Sequence, residues 1–166
     1  MRELSKNLLI VLMALFVVLL DTSFFAMYAI GGVSLIVSLT VLIMISLIGQ
    51  KNNFIVFSLA LTIFLTIFSS LDPLLIIIIF FLIPSTILFL RSSYLPEPSV
   101  LLSSVYFLFG YAFLGVFLIL YGNAINGEVL NAFLLFIILN SIAGVIFYYI
   151  VLRLRNYFQP GKQIKL

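Results

Sequence analysis

No cysteine, histidine or tryptophan occurs in the 166 residues. Without cysteine there is no disulfide framework and no thiolate chemistry. Without histidine the commonest general base and the commonest metal ligand are missing. The chain also has no phosphate-cradling glycine loop, no GxSxG, no HExxH and no CxxC. A non-enzymatic protein with no catalytic, cofactor or metal site is therefore expected. Charge is scarce as well. Asp, Glu, Lys and Arg make up 8% of the chain, against about a quarter in soluble domains. That leaves too little polar surface to coat a water-soluble globule.

What fills the chain is apolar. Hydrophobic residues reach 65%, and the mean hydropathy is +1.40. So much Leu, Ile, Val and Phe excludes disorder. A lipid surround removes the conflict with water. A spanning helix needs about 20 mostly apolar residues. Cutting at charge, Pro, Gly and Asn gives six candidate spans: 4–20, 30–48, 54–70, 74–90, 99–121 and 128–152. The runs are continuous rather than alternating, so helices are predicted, not barrel strands. The predicted fold is an all-α, polytopic membrane domain of six transmembrane helices. No extramembrane domain is expected, and residues 153–166 form a basic tail.

Loop charge gives an orientation. Cytoplasmic segments concentrate Lys and Arg. With the N-terminus inside, the inner segments hold Arg2, Lys6, Lys51, Arg91, Arg153, Arg155, Lys162 and Lys165, which are all eight cations. The outer loops hold Asp21, Asp72 and Glu128. Both termini are thus expected in the cytoplasm and the chain in the cell membrane. The net charge of +3 reads as a topology signal or an anionic lipid surface, not nucleic-acid binding. Phe24, Phe25 and Tyr28 read as aromatic rings at headgroup depth, and Gly31-Gly32 as the start or bend of the second helix. The N-terminus resembles a signal peptide but lacks a small-x-small cleavage site, so cleavage is not expected.

The candidate functional residues are weakly polar groups inside the spans. Ser58, Thr62, Thr66 and Ser70 recur every four residues on one face of the third helix. In lipid this spacing favours close packing within the chain, or else a partner-facing or substrate-facing groove. On the sixth helix Asn140 and Gly144 share a face. A mid-span Asn needs a partner, so Asn140 should face protein. Its role is structural glue or, alternatively, a ligand contact. Gly110 and Gly115 read as packing points. Pro84 removes one helix hydrogen bond and should kink the fourth span, with Ser85 and Thr86 available to the freed carbonyls. Asp21 and Asp72 read as helix-end acids in water, and Pro96-Glu97-Pro98 as a stiff connector.

Three stretches carry a family likeness: the apolar hairpin around the basic turn GQKNN, the outer turn SSLDPLL at 69–75, and the last span NAFLLFIILNSIAGVIFYYIVLRLRNYF at 131–158. In this layout the chain resembles the bacterial rod shape-determining protein MreD family. The third span carries Ser58, Thr62 and Thr66 where the family has glycines and an acid, so no site residue is transferred. The resemblance implies a membrane scaffold of the cell-shape and peptidoglycan elongation complex. Its implied partners are an MreC-like bitopic protein, a penicillin-binding transpeptidase and a glycan polymerase. One alternative is the six-span, vitamin-type substrate-binding component of an energy-coupling-factor transporter. Another is an accessory subunit of a different membrane complex.

Overall fold

A computed structural model describes residues 2–25, 27, 34–49, 51–69, 71–94, 99–122 and 127–158. The elements are α1 (Arg2–Leu19), which runs on into a π-helical segment at Leu20–Phe25, then α2 (Val37–Ile48) and α3 (Lys51–Phe68). The next span comprises α4 (Pro73–Ile77), a π-helical segment at Ile78–Leu82 and α5 (Ile83–Tyr94). Two long helices close the bundle, α6 (Val100–Gly122) and α7 (Gly127–Phe158). The protein is all-α, and among the described residues five helices are long and apolar enough to cross a membrane.

The second span differs from its expected form. A helix is predicted over 30–48, but α2 begins only at Val37, and residues 30–33 lie outside the described residues. Ile36 has extended backbone angles, φ −108° and ψ 90°. Twelve residues at about 1.5 Å each rise about 18 Å, against about 30 Å of hydrocarbon. This short helix sits at the centre of the bundle and touches α1, α3, α5, α6 and α7. Ser38, Leu39, Thr40, Leu42, Ile43, Ser46 and Leu47 are all buried in it. Around it, α1 pairs extensively with α3, and α6 with α7. The outward faces are apolar, with Leu8, Leu12 and Phe16 of α1 and Ile138, Ile142 and Ile146 of α7 exposed. In water such surfaces would drive aggregation; in lipid they are the ordinary exterior.

The fourth span explains two sequence features together. Its π-helical segment, Ile78–Leu82, ends just before Pro84. Extra residues of this kind are a recognised way to absorb a break in the helical ladder. In an α-helix an N–H at position 84 would bond the carbonyl of Phe80, and Pro84 has none to give. Ser58 Oγ of α3 donates to that carbonyl at 3.3 Å. Thr86 Oγ1 donates to Leu82 O at 2.8 Å. At the start of this span, Asp72 caps the helix conventionally, accepting from Leu74 N at 2.8 Å, and is exposed.

The polar ends gather in a consistent way. Glu3, Lys6 and Asn7 face Asn52 and Asn53 across a cleft. Gly49 and Lys51 border a second cleft with Arg91 and Ser92. Arg155 lies within Coulombic range of Arg91. The start of α1, the α2–α3 turn, the end of α5 and the end of α7 therefore share one end of the bundle.

Close approach depends on glycine at several α6 and α7 positions, Gly110, Gly115 and Gly144 among them. A Cβ on Gly110 would meet Ile43 Cδ1 of α2 at 2.7 Å, and one on Gly144 would meet Phe107 Cδ1 at 2.5 Å. Phe107 is fully buried, so its ring has nowhere to move. Gly144→Ala is expected to destabilise the fold by about 1–3 kcal/mol, the usual cost of overpacking. Thermal unfolding in detergent, followed by circular dichroism, checks this. An unchanged midpoint would mean that α6 and α7 separate without cost.

Candidate functional site

The short α2 leaves a problem at each end, because the first N–H groups and last carbonyls of a helix have no partners within it. Inside a membrane there is no water to supply them. Side chains from four other elements do so here. At the N-terminal end, Asp21 Oδ1 accepts from Val37 N and Oδ2 from Ser38 N, each at 2.7 Å. Asn140 Oδ1 accepts from Ile36 N at 2.8 Å. Three consecutive backbone donors, 36 to 38, are thus satisfied by two side chains remote in sequence. The Asn140 amide nitrogen donates back to Ser34 O at 3.3 Å and Phe136 O at 3.1 Å.

The Ile36 carbonyl is equally well served. Thr40 Oγ1 donates to it at 3.0 Å, and Tyr111 Oη of α6 at 3.0 Å. The hydroxyls of Thr40 and Tyr111 also lie against each other. Tyr111 is fully buried, and its ring packs edge-on to Phe136, with centroids 5.9 Å apart at 83°. Ser38 is buried beside the Asp21 carboxylate.

Asp21 lies within the π-helical segment at Leu20–Phe25. Thr22 Oγ1 holds the distorted segment by donating to Val18 O at 2.9 Å. Asp21 is therefore not the helix-end acid in water that the sequence suggests. It is a partly buried carboxylate inside a membrane-spanning helix, where ionisable groups are costly and need assigned partners.

At the C-terminal end of α2 the charge is reversed. Arg91 Nη1 donates to Ser46 O at 3.0 Å and Gly49 O at 3.4 Å. A peptide helix carries roughly half a positive charge at its N-terminus and half a negative charge at its C-terminus. An anion at one end and a cation at the other match that dipole about 18 Å apart. Each such contact is worth up to about 2 kcal/mol when partly buried.

The candidate residues from the sequence fall as follows. Ser58 is buried and bonds across to Phe80, as described. Thr62 Oγ1 donates to Ser58 O at 2.7 Å, and Thr66 Oγ1 to Ile63 O at 2.7 Å. The Thr62 and Thr66 hydroxyls bond to carbonyls of their own helix, and Ser58 bonds across to the next span. Ser70 lies outside the described residues. Asn140 and Gly144 do share a buried face of α7, continued by Tyr148 and Leu152, and that face turns inward. Asp21, Tyr111 and Arg91 were missed as interior groups. The available signal was an acid inside an otherwise continuous apolar stretch, followed closely by Gly31-Gly32. Among the described residues, no three Asp, Glu, His or Cys side chains gather as a metal ion would need.

Asp21→Ala is expected to cost about 2–4 kcal/mol, between the loss of a helix cap and that of a buried ionic partner. Asp21→Asn keeps one acceptor and should cost about 1 kcal/mol. Hydrogen exchange at the Val37 and Ser38 amides reads this directly, and both should lose protection in the alanine variant before the rest of α2 does. Unchanged exchange would remove Asp21 from the site. No known protein family, characterised protein or solved structure matches this chain.

Proposed function

We propose that this protein is a non-enzymatic scaffold subunit of the plasma membrane that acts by helix packing with other membrane proteins. The observation that carries this reading is where the polar groups go. Asp21, Arg91, Ser58, Thr62, Tyr111 and Asn140 all bond within the chain. Their common effect is to hold a rigid bundle whose exterior is left for contact. The gathering of Lys6, Lys51, Arg91 and Arg155 at one end supports a cytoplasmic location for that end and both termini, since cations stay on the side of synthesis.

The outer surface offers a place for a partner. An apolar groove runs between α6 and α7, lined by Ser104, Val105, Leu108, Ile138, Ser141 and Ile142 among others. Its lining is almost wholly apolar, with Ser104 and Ser141 as small residues that let a neighbouring helix approach closely. The fitting occupant is one spanning helix of a bitopic protein. The resemblance to the MreD family makes that partner an MreC-like protein. The wider assembly would then be the cell-shape and peptidoglycan elongation complex, with a penicillin-binding transpeptidase and a glycan polymerase.

A second reading rests on the convergence of Asp21, Thr40, Tyr111 and Asn140 at one end of α2. Converging polar groups are what a small-molecule site requires, as in a vitamin-type substrate-binding component of an energy-coupling-factor transporter. The bonds already made by each of these side chains weigh against it.

Detergent-solubilised tagged protein is expected to co-purify with a bitopic cell-shape protein. Ile142→Trp should lower that recovery about fivefold or more, the effect of losing about 1 kcal/mol at an interface, with no change in thermal stability. Recovery of a transporter ATPase, or of a tightly held vitamin, would overturn the scaffold assignment.

A further inference from the structure

The cleft beside the α2–α3 turn joins two kinds of surface. Lys51 and Arg91 supply cations, while Leu88 and Phe89 supply an apolar wall. Phe89 is 62% exposed and so stands where acyl chains would be. Ser92 borders the same cleft, but its hydroxyl donates to Phe89 O at 2.9 Å.

Arg91 is the informative residue. It is half-buried, and Nη1 donates to the carbonyls of Ser46 and Gly49 at the end of α2. The carbonyls it caps carry a fraction of a charge, which does not balance a guanidinium. The groups within Coulombic range of it are Tyr148, Arg155 and Tyr106. Arg155 adds a like charge, and the tyrosines are neutral at pH 7. The cleft that Arg91 lines holds a second cation, Lys51, and no described carboxylate. Lys51 also opens α3, so the positive end of that helix dipole points the same way.

We propose that this cleft binds the phosphate of an anionic phospholipid. Lys51 and Arg91 take the phosphate, and Leu88 and Phe89 take the first part of an acyl chain. A basic pocket at the headgroup level with an apolar wall is the recognised form of such sites. The inference holds whichever protein partner the chain has.

The test uses the full chain in detergent, with phosphatidylglycerol and phosphatidylcholine of matched acyl chains and native mass spectrometry of the retained lipid. Each cation near a headgroup contributes about fivefold in affinity. Phosphatidylglycerol should therefore be retained more than tenfold better than phosphatidylcholine. Lys51→Ala should lose about fivefold of that preference while unfolding at the same temperature, because Lys51 is exposed. Arg91→Lys keeps the charge and should retain part of the preference. Phe89→Ala should weaken both lipids alike. Equal retention of the two lipids by the native chain, or an unchanged preference in Lys51→Ala, would overturn the proposal. So would displacement of phosphatidylglycerol by inorganic phosphate at equal concentration, which would make this a free-anion site.

Discussion

The bonds from the Asp21 carboxylate to the first two N–H groups of α2 are the contact on which this bundle turns. A 12-residue helix cannot cross the hydrocarbon and cannot leave its ends bare within it. The carboxylate answers both the unpaired donors and the positive end of the dipole. Once α2 is fixed there, the remaining helices have a centre to pack around. Asn140 brings α7 to it, Tyr111 brings α6, and Arg91 brings α5 to its other end. Asp21, Asn140, Tyr111 and Arg91 therefore act as ties between helices, each reaching a backbone atom of another element.

Among the described residues, the two π-helical segments lie where such bonds to another helix are made. One π-helical segment carries Asp21, which bonds to α2. The other precedes Pro84 and leaves the Phe80 carbonyl to Ser58 of α3. In both cases an irregular turn would be costly in lipid but is satisfied because another helix faces it. Regular helix presents apolar side chains outward, and irregular helix presents polar backbone inward.

Much of this was legible in the residues. Length and continuity of apolar runs identify α3, the α4–α5 span, α6 and α7 to within a few residues at most ends, because hydrophobic length is set by the bilayer. The inward placement of Asn140 follows from the cost of a lone amide in hydrocarbon. The second span resisted the same reasoning. Its 19 apolar-looking positions, 30–48, average to a full crossing, yet the helix starts seven residues late at Val37. Hydropathy sums side chains and is blind to where backbone donors find partners. For the same reason Asp21 looked like a stop signal and Arg91 like a loop cation. Each is a charge opposite a helix end, and that helix end belongs to a different part of the chain. The hydroxyl stripe on α3 was visible as a pattern, but spacing alone could not tell bonds to its own carbonyls from bonds to a partner.

The order in which the ties are made has a consequence for biosynthesis. Asp21 precedes α2 by 16 residues, whereas Asn140 follows Ile36 by 104. During translation α2 leaves the ribosome long before the amide that completes its cap exists. Its short apolar length gives the insertion machinery little to hold. Until α6 and α7 emerge, the segment rests on the Asp21 carboxylate and on α1, α3 and α5. Its final seat in the bilayer is thus decided after release of the last helix, by folding inside the membrane rather than by insertion one span at a time.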